Sequence, residues 1–199
     1  MTNAGASGES GPQGESGSSH GPFDRAVLAA VDGDIQTLRA ELDRSPSLVE
    51  QRSGPPFEAT LLHYAAAANG VEDALQRTPP NAVEIVRLLL ERGSAPDALG
   101  ESYGGGSNAT PLCLLASSWH PFEAGLQADL VRTLVEGGAS VNGLEDDGMP
   151  LATALVFGYT AAARALREVG ARVDSIFFAA GLGDLDLVRR FFTSEGVDM

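Results

Sequence analysis

Reactive side chains are scarce in this sequence: three histidines, one cysteine and thirteen basic residues, every one an arginine. Cys113 lies in Thr110-Pro111-Leu112-Cys113, which reads as the start of a helix, so its thiol is expected to pack as a small apolar group rather than attack as a nucleophile. His120 follows Trp119 with no cysteine or carboxylate partner at ligand spacing and is expected to be a surface residue. Tyr103-Gly104-Gly105-Gly106-Ser107 has the glycine content of a phosphate-cradling loop. Such loops need a strand before them, a helix N-terminus after them and usually a lysine; no strand is evident upstream and the chain has no lysine, which leaves a flexible finger. Glu145-Asp146-Asp147 lacks the spacing of a calcium loop and reads as a solvated acidic tip. These residues assemble no catalytic set, metal site or cofactor site, and an enzyme is not expected.

Composition narrows the partner class. With 27 acidic residues against 13 arginines the net charge is −14, a field that repels duplex DNA and anionic membrane and favours a basic protein surface. A single cysteine allows no internal disulfide and suits a reducing compartment; no run approaches the length of a membrane helix, and the N-terminus lacks a signal-peptide pattern, so cytoplasm is expected. The arginine-only, Ala- and Gly-rich composition is that of GC-rich coding sequence, of a bacterial type. Hydrophobic residues are 43% of the chain but aromatics only 6%, a mixture suited to thin helices packed closely.

Two regions divide the chain. Residues 1–22 are mostly Gly, Ser, Glu and Pro and are expected to form a disordered tail; residues 23–199 are expected to fold. Within the second region a phrase recurs. Ala29-Ala30-Val31-Asp32-Gly33-Asp34 is matched by Ala179-Ala180-Gly181-Leu182-Gly183-Asp184: an Ala-rich helix, a glycine turn, an Asp N-cap and a second helix. Between them lie Thr60-Leu61-Leu62-His63-Tyr64-Ala65-Ala66, Thr110-Pro111-Leu112-Cys113 and Met149-Pro150-Leu151, each answered downstream by an apolar helix that ends at Gly93, Gly138 or Gly170. Those glycines stand where a helix must close in a left-handed turn. Asn81, with Glu84 three residues on, reads as an N-cap with its capping-box partner.

These phrases resemble the ankyrin repeat, whose pattern is Thr-Pro-Leu-His-x-Ala-Ala, then Gly, then Leu-Leu-x-x-Gly-Ala-x-Val-Asn. The resemblance runs from Phe23 to about Asp198 and implies an all-α solenoid of about five stacked helix–turn–helix units. It implies that His63 is a structural hydrogen-bonding histidine and that Cys113 and Ala152, at the histidine position of later units, forgo that bond at about 1 kcal/mol each. Inserts interrupt the pattern at 69–80 and 119–127, between the helices of the second and third units, and the finger at 99–109 is lengthened.

The resemblance also implies a function: a monomeric module that binds another protein through its finger loops and the ends of its first helices. By register those helix ends are Val31 and Asp32, Ala67 and Ala68, Ser117 and Ser118, and Val156 and Phe157. The fingers offer Tyr103, Asn108, Glu145, Asp146 and Met149, with Phe157, Tyr103 and Met149 as anchors and the acids steering a basic partner. A different class of function is a small-ligand or catalytic pocket formed where the three inserts converge, lined by Tyr103, Ser117, Ser118, Trp119 and His120. A concave site beneath Trp119 would favour the pocket; an open surface would favour the module.

Overall fold

A computed structural model describes residues 21–102 and 107–194, and these are mainly helical, as expected of an all-α chain. The tail expected over residues 1–22 falls almost wholly outside the described residues, as does Tyr103.

The repeated phrase takes the same form at both ends of the chain. Helix α1 (Pro22–Asp32) and α2 (Ile35–Arg44) meet at Gly33, whose φ of 82° is a left-handed turn. Asp34 then caps α2, accepting from the Thr37 amide at 3.0 Å and the Thr37 hydroxyl at 2.6 Å. Far downstream, Asp184 accepts from the Leu187 amide at 3.0 Å in the same role, after Gly183.

Between these pairs the chain runs through a one-turn π-helix (His63–Ala67) and α3 (Ala82–Glu91). The hairpin β1 (Gly100–Ser102) and β2 (Ser107–Ala109) follows, and then α4 (Pro111–Leu115), α5 (Trp119–Glu123) and α6 (Gln127–Glu136). The described chain ends with α7 (Met149–Val156), α8 (Thr160–Glu168), α9 (Ile176–Gly181) and α10 (Leu185–Ser194). Thr110 caps α4 by accepting from the Cys113 amide at 3.3 Å, with Pro111 at the first helical position, where its missing N–H costs nothing. The finger expected to be flexible at 99–109 is an antiparallel ladder where it is described, with Glu101 opposite Asn108. Cys113 is half-buried, not part of the packed core.

First helices pack in series, α1 on the π-helix, the π-helix on α4, α4 on α7 and α7 on α9. The second row places α3 on α6 and α6 on α8, with Leu89, Leu130, Leu134 and Leu166 fully buried between them. Asp97, four residues after Gly93, accepts from the Ser140 amide at 3.0 Å and the Ser140 hydroxyl at 2.6 Å. One unit on, Asn142, four residues after Gly138, accepts from the Arg172 amide at 3.0 Å. Each finger thus closes the backbone of the next in the same register.

The capping box expected at Asn81 is absent. Its side chain makes no cap; the amide instead donates to the Gly33 carbonyl at 2.9 Å, tying α3 to the preceding turn. A side chain at Gly33 would meet the Asn81 Oδ1 at 2.7 Å, so the bond depends on glycine there.

Candidate interaction surface

The insert at 69–80 determines which helix ends stay open. Tyr64, buried in the π-helix, donates to Glu72 Oε2 at 2.8 Å, and burial pushes its phenol above the ordinary range. Arg77 donates to Asp32 Oδ1 at 2.7 Å, and Asn69 donates to Ser117 Oγ at 3.1 Å. One segment therefore reaches from the end of α1 to the end of α4. It leaves a cleft of about 380 Å³ against α1, lined by Phe23, Val27, Tyr64, Glu72 and Leu75 among others.

Six of the eight expected helix-end positions are covered or engaged. Val31, Ala67 and Ala68 are buried, Asp32 is held by Arg77, and Ser118 is fully buried. Ser117 is half-buried and occupied by Asn69. The reason is steric: the register rule assumes a short turn between the helices, and here the chain folds back over the helix ends.

The fourth pair escapes. Val156 and Phe157 at the end of α7 are exposed, and Phe157, at 55% relative exposure, lies 6.0 Å from Tyr159, nearly parallel to it at 26°. Tyr159 is buried by its neighbours and stacks on Phe122 at 4.6 Å; Phe122 in turn meets Trp119 at 5.5 Å. Trp119 is 54% exposed. The four rings form one continuous ridge from α5 to the α7–α8 turn, within the spacing at which aromatic pairs attract.

The ridge answers the two expectations about the insert at 119–127. It is helical rather than a loop, so Trp119 and Phe122, three residues apart, share a face. Trp119 lies beside Phe122 and is exposed at the surface. His120 is half-buried beside it. Phe122 and Tyr159 were not among the residues expected from sequence; the i, i+3 spacing of Trp119 and Phe122 is the signal that identifies the first of them.

Electrostatics revise the fingertips. Asp146 sits at a left-handed φ of 53° and pairs with Arg172, whose guanidinium is held more basic by that contact. Its charge is taken up between fingers; Glu145 stays exposed, and Asp147 accepts from the Met149 amide at 3.0 Å. Met149 is exposed, and Asn108 lies in β2 opposite Glu101. Arg77, Arg92, Arg132 and Arg167 are likewise bound to carboxylates, so the acidic excess dominates what a partner meets.

The His63 imidazole is strongly perturbed. The Thr60 amide donates to Nδ1 at 3.1 Å, so Nε2 carries the proton and donates to the Ala109 carbonyl at 3.2 Å. Burial pushes its pKa down to about 4, against the pull of that carbonyl. A neutral ring locked between a helix and a finger strand is a structural bolt, not a base.

Among the described residues no group of three or more His, Cys, Asp or Glu side chains is placed to hold a metal ion. Nor is any described helix long and apolar enough to cross a membrane.

Paired helices, packed in series and linked by finger hydrogen bonds, define a helical repeat protein. Residues 58–101, the stretch that holds Thr60, His63 and Gly93, match the family model of the ankyrin repeat, so the chain carries an ankyrin repeat there. No curated protein matches the chain. Ankyrin repeats are in general protein–protein interaction modules, and such domains are typically not enzymes.

Proposed function

We propose that this chain is a five-unit ankyrin stack that binds a basic protein partner through the aromatic ridge of its third and fourth units. The observation that carries this reading is the ridge itself: Phe122 and Phe157 are exposed while resting on a buried Tyr159, and the exposed Trp119 continues the ridge from Phe122. Rings held by one another lose little freedom on binding, and such anchors dominate interface energies. Their faces attract the guanidinium and ammonium groups of a basic surface, and the acidic excess of the chain steers that surface in. Glu145 and Met149 extend the contact along the neighbouring finger.

The test is affinity capture from native lysate, followed by titration of the retained protein against the wild-type chain and the Trp119→Ala and Phe157→Ala variants. Each substitution is expected to weaken binding by about 30-fold, equivalent to an anchor of about 2 kcal/mol. Capture unchanged by both variants overturns the assignment.

A further inference from the structure

Exposed apolar side chains are unevenly distributed: among the described residues, no large hydrophobic residue before Leu99 is exposed. Beyond the ridge they gather on α9 and α10. The eighth residue of the second helix is Leu42, Leu89 or Leu134 in α2, α3 and α6, each at 0% exposure. In α10 the same position is Phe192, at 55%. First helices repeat the contrast. Ala26, Leu62, Leu112 and Leu151 are each at 0%, whereas Ile176, three residues before Ala179 as Leu151 is before Ala154, is at 43%. Ile176 and Phe192 line one cleft of about 310 Å³, together with Asp174, Ser175 and Phe191. Phe177 and Leu185 are exposed on the same two helices.

We propose that this face of α9 and α10 is a self-association surface, on which a second copy of the chain packs about a two-fold axis. The inference rests on the stacked-unit reading above: these are stacking positions, shaped to be covered by another pair of helices. Three observations favour a second copy of this chain. The face carries both protruding rings and a cleft between its helices, so it is complementary to itself, as a two-fold interface requires. The opposite end of the stack has no exposed large hydrophobic residue among the described residues, so it presents no matching set of protruding side chains for a head-to-tail contact. Charge is nearly balanced here, since α10 carries Asp186 against Arg189 and Arg190, in a chain whose net charge of −14 would elsewhere push two copies apart. Four side chains, each about half uncovered, offer about 400 Å² of apolar surface per copy, roughly half of one side of a standard interface, and the rim of the two helices supplies the rest.

The test is the molar mass of the 199-residue chain by sedimentation over a concentration series, with Phe192→Glu, Ile176→Asp and Trp119→Ala alongside. A dimer that dissociates on dilution is expected, lost in Phe192→Glu and Ile176→Asp but kept in Trp119→Ala. Hydrogen exchange of the wild-type chain supplies a readout that needs no variant: amides of residues 176–192 gain protection with concentration. A monomer at every concentration, a dimer that survives both charged substitutions, or protection gained only at the ridge each overturns the proposal. Loss of the dimer in Trp119→Ala alone would move the self-contact to the ridge and overturn both assignments, whereas loss of partner binding with the dimer intact separates them.

Discussion

His63 gives the fold a pH dependence that can be worked out from its surroundings. The ring is buried at 1% exposure, accepts from the Thr60 amide and donates to the Ala109 carbonyl, so a second proton at Nδ1 would displace the amide bond and charge a ring shut away from water, with only the Thr60 hydroxyl at 2.8 Å to receive it. In the native chain its pKa falls to about 4, against 6.5 for a free imidazole. The unfolded state therefore binds more protons than the folded state below pH 6.5, and stability must decline as pH falls through the window from 6.5 to 4. It is fully present above 6.5. Between about pH 7.5 and about pH 5 the linkage amounts to about 2 kcal/mol, and this range stays above the titration of ordinary carboxylates. Urea denaturation at the two pH values measures it, with the His63→Gln variant as the control: a glutamine side chain cannot titrate, so the variant is less stable at neutral pH but level across the range. A wild-type chain whose stability is level from about pH 7.5 to about pH 5, or a His63→Gln chain with the same slope as wild type, would refute the argument.

Two further outcomes test the fingers. In Gly100→Ala the new methyl would lie 2.9 Å from His63 Nε2, so the ring must give up its bond to Ala109 or β1 must shift; a loss of about 1–3 kcal/mol is expected in thermal or urea unfolding. In Asp97→Ala the Ser140 amide and hydroxyl lose their shared carboxylate, and a loss of about 1–3 kcal/mol is expected by the same measurement.

Local chemistry made much of this legible from sequence. The glycine-plus-aspartate turns at Gly33 and Gly183 and the left-handed glycines at 93, 138 and 170 each follow from one residue's own conformational needs, and each takes the expected form. Where a side chain had two possible partners, sequence named the nearer one and the fold chose the farther. Asn81 reaches across to Gly33 instead of capping its own helix, and Asp146, while still exposed, pairs with Arg172, 26 residues on. The candidate surface was half legible for the same reason. Trp119 and Phe157 stand out in a chain with few aromatics, but nothing local to either shows that Phe122 and Tyr159 join them into one ridge. That junction exists only once α5 is seated beside the α7–α8 turn.

The two inserts have opposite effects on the surface a partner could use, and residue type explains why. The segment at 69–80 is rich in groups that bond back to the stack: Asn69, Glu72, Gln76 and Arg77 each find a partner within the chain, so it closes over the first two units. Residues 119–123 form a short helix in which Trp119 and Phe122 pack on each other, and these rings offer mainly apolar surface rather than groups that hydrogen-bond back to the stack. Only Phe122 finds a buried partner, in Tyr159; Trp119 keeps one face open, as does Phe157 beyond Tyr159. The polar insert thus completes the fold and the aromatic insert leaves it incomplete. With Arg77, Arg92, Arg132 and Arg167 drawn into ion pairs, the contacts the ridge can still take are apolar and cationic, as a basic partner of the proposed kind would bring.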